Sequence, residues 1–138
     1  MRLLVDTHVL LWAAIRPVRL SASFRERIES PDNEVLFSAA SIWELAIKLQ
    51  IGVSSLAISP EALADAALQM GFGELPVTAA HAAGVRLLPL HHRDPFDRIL
   101  VAQAIHEPAR LLTADRALAP YSDLVEVMAK RSSQRKSV

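Results

Sequence analysis

A chain of 138 residues, 51% apolar and 22% charged, has the size and composition of one soluble globular domain. It contains no cysteine, which excludes a disulfide scaffold, a thiolate zinc site and a cysteine nucleophile. Fifteen Lys+Arg balance fifteen Asp+Glu, so any contact with nucleic acid is local rather than the work of a basic coat.

The first apolar run, Leu3-Leu4-Val5, stops at Asp6, too early for a secretory signal. No stretch reaches the roughly 18 apolar residues of a membrane span, so a cytoplasmic protein is expected. Leu3–Val5, Val35–Phe37 and Leu111-Leu112 are short, not strictly alternating and bounded by polar residues, as strands buried on both faces are. Leu124–Val127 is a fourth candidate strand and Glu74–Val77 a weaker fifth. Between them lie helical patterns: a helix opening near Thr7, Ser21 to Ser30 behind a serine cap, and Ala39 to Gln50 stopped by Gly52. A further helix runs from the Ser59-Pro60-Glu61 start to about Met70, followed by Thr78 to Leu87 and Pro95 to His106. In the last, Ile99, Ala102, Gln103 and His106 share one side. Strands separated by helices predict an α/β fold with a mainly parallel sheet. Residues 1–129 read as one domain. The stretch 130–138 reads as a disordered basic tail that carries Lys130, Arg131, Arg135 and Lys136.

In a parallel α/β sheet ligands bind beyond the carboxyl ends of the strands, and acids stand at those ends. Asp6 follows the first strand, Glu44 lies inside the helix after the second, Asp94 and Asp97 flank Pro95-Phe96, and Asp115 follows Leu112-Thr113-Ala114. Each has a local alternative. Asp6 can cap the helix at Thr7, Glu44 can close a capping box with Ser41, Asp97 can do so with Asp94, and Asp115 can make an Asx-turn. Together, though, they would point at one place, and clustered carboxylates repel unless a cation lies among them. Oxygen ligands without sulfur favour a hard ion, Mg²⁺ or Mn²⁺, and such a site suits hydrolysis of a phosphodiester.

Four blocks stand in order: Leu4-Val5-Asp6-Thr7-His8-Val9-Leu10-Leu11-Trp12, Ser38–Lys48 around Trp43-Glu44, His92-Arg93-Asp94-Pro95-Phe96-Asp97-Arg98 running on to Ala104, and Leu112-Thr113-Ala114-Asp115. From about residue 2 to residue 127 the chain resembles the PIN-domain ribonucleases, specifically the VapC-type toxins of type II toxin–antitoxin pairs. The resemblance implies a three-layer α/β/α sandwich around a four- or five-stranded, mainly parallel sheet. It implies an endoribonuclease using one or two Mg²⁺ or Mn²⁺ ions and a metal-activated water. It also implies an RNA substrate, a protein antitoxin, a homodimer, no membrane and no DNA binding by this chain alone. Matched residue by residue, Asp6, Glu44, Asp97 and Asp115 are the expected catalytic metal ligands. Asp94 reads mainly as a cap and Thr7 and Thr113 as hydroxyls that support the ligands, while Arg93, Arg98 and Arg116, which adjoin the acids, read either as RNA-phosphate contacts or as ion pairs that ease the acids' repulsion. The chain departs from the family pattern at Glu107-Pro108, where a glycine turn is expected, and near the end, where Tyr121 and Met128 stand instead of a tryptophan.

His91-His92 is unsuited to hold one ion between adjacent residues and reads as loop or RNA contact, while His8 can face the cleft. Trp12 and Trp43 read most simply as core, with Trp43, beside Glu44, also able to face a partner. The apolar segment 51–72, with Leu56, Ile58, Leu63, Ala67 and Met70, is either core or a partner groove, and the family favours the groove. Two other functions fit the same acids: a structure-specific DNA nuclease or phosphatase, and a non-catalytic module that keeps the acids as caps.

Overall fold

The computed structural model describes residues 1–53, 58–91 and 93–129. Leu56, His92 and the basic tail lie outside them. The chain runs β1 (Arg2–Val5), α1 (Thr7–Ile15), α2 (Ala22–Glu29), β2 (Glu34–Ser38), α3 (Ala39–Gln50), α4 (Pro60–Gln69), β3 (Gly73–Leu75), α5 (Ala79–Gly84), α6 (Pro95–His106), β4 (Arg110–Thr113) and β5 (Val125–Val127). Short 3-10 turns occupy Pro17–Arg19, Val85–Leu87 and Arg116–Tyr121.

All five strands are parallel, in the order β3-β2-β1-β4-β5. Val5 lies beside Phe37 on one flank and Leu112 on the other, so three strand ends finish level. Side chains alternate across a strand, and the sheet uses both faces. Leu3, Val5, Val35, Phe37 and Leu112 face a core closed by Val9, Leu10, Phe24, Leu45, Leu63 and Ala67. Leu4, Leu36, Leu75 and Leu111 face the opposite core, closed by Leu100, Val101, Ala104 and Leu118. The central strands β1, β2 and β4 carry no polar face because both of their sides are covered, and the result is the three-layer α/β/α sandwich.

Local chemistry sets the helix ends. Ser21, Ser38, Ser59 and Thr78 each accept a backbone N–H of the first turn and open α2, α3, α4 and α5. Gly52, at φ +76°, ends α3 in the left-handed region that a side chain disfavours. The helix expected from Thr78 to Leu87 is α5 followed by a 3-10 turn.

Four expectations are corrected here. Ser41 does not cap a helix; the cap is Ser38, so the Ser41–Glu44 capping box does not form. Trp43 is 60% exposed, because Glu44, one residue and about 100° further round the helix, takes the inward position. Leu63 and Ala67 are fully buried and Ile58 packs against them, so that stripe is core; Leu68 and Met70 face outward. In α6, burial extends from Leu100 through Ala104 rather than along one stripe, while His106 is exposed, because the helix lies across the middle of the second core.

Candidate active site

The sheet order places the site. From β1 the chain builds outward to β2 and β3, then returns to the other flank of β1 as β4. Loops leave β1 and β4 in different directions there, which opens a crevice at the carboxyl ends of the strands. Asp6, Glu44, Asp94, Asp97 and Asp115 all line this one cleft of about 480 Å³, together with Thr7, His8, Trp12 and Lys48.

Asp6 is buried, as is Glu44. It caps α1, its Oδ1 accepting the Val9 N–H at 2.9 Å, and its Oδ2 accepts the Thr113 hydroxyl at 2.5 Å. The same hydroxyl oxygen accepts the Asp115 N–H at 2.9 Å, so Thr113 joins the ends of β1 and β4. Burial pushes the Asp6 carboxyl above its usual range. The Thr113 and Val9 hydrogen bonds and the His8 charge oppose that rise, and the Glu44 charge adds to it.

Glu44 is buried on the inward face of α3. Its Oε1 accepts the Thr7 hydroxyl at 2.7 Å, and Thr7 also meets the buried Ser41 hydroxyl at 2.9 Å. Its Oε2 accepts Lys48 Nζ at 2.5 Å. The hydrogen bond to Glu44, helped by the charges of Glu44, Asp94 and Asp97, holds the lysine above its ordinary range against desolvation. Asp94 caps α6 with Oδ1, accepting the N–H groups of Phe96 at 2.8 Å and Asp97 at 3.2 Å. Asp97 stands in the first turn of α6. Asp115 makes the expected Asx-turn, its Oδ1 accepting the Ala117 N–H at 2.9 Å. Capping and cleft lining therefore coincide in Asp6, Asp94 and Asp115.

The other singled-out residues separate. His8 is exposed in the cleft, 5.9 Å from the Trp12 ring, which packs against the first core while edging the cleft. Arg116 is exposed beside Asp115. Arg93 is exposed but lines a neighbouring apolar groove of about 550 Å³ with Trp43, Val77 and Ile99. Arg98 is turned inward: its guanidinium donates to the Pro89 and Val85 carbonyls and the Tyr121 hydroxyl. It ties the 85–91 stretch to α6, which corrects the expectation of an exposed phosphate contact. Tyr121 is buried in its own right, in the region where a tryptophan is the family habit.

The sequence does not single out Lys48; its place one helical turn after Glu44 is the available signal. Glu107 went unread too except as a departure: it accepts buried His81 Nε2 at 2.7 Å and Arg2 at 3.3 Å.

The cleft gathers five carboxylates and the Thr7 hydroxyl, and no sulfur, around the buried Asp6. A lysine ammonium already stands against one of those carboxylates, so the residues fit a hard divalent ion. Among the described residues a different trio, His81, His106 and Glu107, brings three ligand-type atoms within 4.8 Å of one another, which is near enough for an ion on distance alone. Its chemistry argues otherwise. His81 Nδ1 accepts the Thr78 N–H at 3.0 Å, so the ring proton sits on Nε2 and points at Glu107. Ligation through Nε2 would require an imidazolate, and the grouping reads as a hydrogen-bonded latch between α5 and the end of α6.

A parallel sheet in this order with acids gathered at its switch point defines the class. The PIN domain model matches residues 3–124, and the chain belongs to the PIN-domain family. It is 36% identical over 121 residues to ribonuclease VapC22 of Mycobacterium tuberculosis, a span of 83% of this chain and 88% of that one. Among solved structures it superposes on VapBC2 from Rickettsia felis, bound to a DNA fragment from their promoter, with TM-score 0.70 and 16% identity, covering 94% of this chain and 100% of that one. FitAcB from Neisseria gonorrhoeae gives TM-score 0.57 and 18% identity over 92% and 96% of the two chains. At such identities these two structures bear on the fold alone.

Proposed function

We propose that this protein is a divalent-metal-dependent endoribonuclease and the toxin of a type II toxin–antitoxin pair. The observation that carries the reading is the convergence, in one cleft, of Asp6, Glu44, Asp97 and Asp115 from four separated stretches of chain. Identity to a ribonuclease over most of both chains supports the reaction class.

Asp6, Glu44, Asp97 and Asp115 would hold one or two Mg²⁺ or Mn²⁺ ions. An ion held there supplies an activated water and offsets charge developing on the phosphate oxygens. The protein's own part is orientation. Thr113 fixes the Asp6 carboxylate and the Asp115 backbone, and Thr7 fixes Glu44, so the ligand oxygens are set before substrate arrives. Arg93 and Arg116 lie exposed near the cleft region and are the arginines offered to RNA phosphates. Antitoxin binding, a homodimer and a cytoplasmic setting belong to the same proposal. No helix among the described residues is long and apolar enough to cross a membrane.

The test is Asp97→Asn. An amide leaves the helix start intact but is a poor ligand for a hard cation. The folded signal in circular dichroism is expected to persist. Cleavage of single-stranded RNA with Mn²⁺ is expected to fall at least about 100-fold, the upper end of what loss of an outer-shell partner costs a metal site. Expression of the wild type, and not of the variant, is expected to slow bacterial growth. Near-wild-type cleavage by Asp97→Asn, or cleavage of DNA but not RNA by the wild type, overturns the reading.

A further inference from the structure

Lys48 is the one lysine or arginine among the described residues that line the acidic cleft. It sits on the last turns of α3, with 41% of its side chain exposed, against a Glu44 side chain only 5% exposed. Ordinary i,i+4 ion pairs join two solvated side chains on an outer helix face and contribute little. Here the acid faces the cleft and the lysine reaches in to it. Both Glu44 oxygens are engaged, and the two partners differ. Thr7 on Oε1 is buried and meets Ser41, whereas Lys48 on Oε2 is the end of a flexible, half-exposed stem. A cation that takes Glu44 therefore displaces the lysine and leaves the threonine in place.

We propose that Lys48 is a placeholder cation: in the metal-free cleft its ammonium occupies Glu44 Oε2, and when a divalent ion takes that carboxylate the freed ammonium binds a non-bridging phosphate oxygen of the substrate. The phosphate half rests on the ribonuclease reading; the placeholder half needs only that an ion binds. A compact ammonium on a mobile stem suits this exchange better than a guanidinium, whose planar fork favours one fixed bidentate geometry. Displacement moves no covalent bond and leaves the ammonium in the cleft, beside the ion and facing the polyanion it has to recognise.

Lys48→Met keeps the stem and removes the charge at a half-exposed position. In isothermal titration of full-length protein with Mn²⁺ alone, this variant is expected to bind the ion about ten-fold tighter than wild type. That is the effect of removing one unit charge roughly 6 Å from a divalent ion in a watery cleft. General damage to the site would weaken binding, so the direction separates the two explanations. With saturating Mn²⁺, the variant's KM for single-stranded RNA is expected to rise several-fold more than its kcat falls, and Lys48→Arg is expected to restore part of the loss. Unchanged or weaker Mn²⁺ binding by Lys48→Met overturns the placeholder, and an unchanged KM overturns the phosphate contact. Wild-type protein that binds Mn²⁺ yet cuts no RNA overturns the ribonuclease reading and the phosphate contact together, while the Mn²⁺ comparison still decides the placeholder.

Discussion

Asp6 concentrates the conflict that the cleft contains. Its carboxylate is fixed by Thr113 and Val9, yet burial raises its proton affinity above the usual value of 3.8. An acid whose folded-state value is raised adds stability fully below the unfolded value, and that contribution is lost as pH climbs through the folded one. Metal-free protein at neutral pH therefore carries a strained Asp6. Asp6→Asn, which can still cap α1, is expected to melt higher than wild type at pH 7 in a chelator. That advantage should fade as the pH falls toward 4, and thermal melts across the pH range read it directly. Added Mn²⁺ should raise the wild-type melting temperature and leave the variant nearly unmoved. Asp6, Asp97 and Asp115 were readable because each follows a strand or stands in the first turn of a helix, and Glu44 because its helix follows the second strand directly. Thr7 and Thr113 were readable because they adjoin two of those acids. Lys48 was not, since Glu-x-x-x-Lys on a helix ordinarily describes a solvated face, and only the burial of α3 against the sheet turns that face inward. Arg98 failed as a phosphate contact for the converse reason: arginine beside acids suggests a surface, but the Pro89 and Val85 carbonyls lie within its reach and need donors.

Elements that bear the site are held by their ends. α1 and α6 begin at acids of the cleft, Asp6 and Asp94, so the caps that define the helices also fix the carboxylates. The far end of α3, which presents Glu44 and Lys48, depends on Gly52. No atom crowds a Cβ there, so the burden of a side chain is conformational alone. Gly52→Ala is expected to destabilise the fold by about 1–2 kcal/mol, the penalty of a left-handed residue with a side chain, as read by urea denaturation with an unchanged m-value. Strand positions and helix starts were legible because serine caps, Pro60, Pro95 and Gly52 punctuate the chain. The faces of α3 and α6 were less so. Periodicity locates a stripe, but how far burial spreads round a helix depends on what lies over it, and α6 sits across a whole core.

At the scale of the whole molecule, one thin sheet organises two cores. Leu4 contributes to one and its neighbour Leu3 to the other, so every central strand is apolar on both sides. Leu4→Ala empties part of the second core and is expected to destabilise the protein by about 2–5 kcal/mol, a large share of the roughly 5–15 kcal/mol that holds a domain of ordinary stability. Chemical denaturation measures it. This two-sided burial made the fold class legible, since short continuous apolar runs between helices leave few alternatives to a covered parallel sheet. Strand order was not legible in the same way. No residue announces that β4 returns to the far flank of β1, yet that return creates the crevice.

The Thr113–Asp6 hydrogen bond spans 107 positions of sequence. During synthesis, which proceeds from the amino end, Asp6, Glu44 and Asp97 emerge while their late companions are still untranslated. The acidic cleft cannot be completed until Thr113 and Asp115 have left the ribosome. A growing chain that stops short of β4 thus lacks both the hydroxyl that holds Asp6 and the fourth acid of the proposed site.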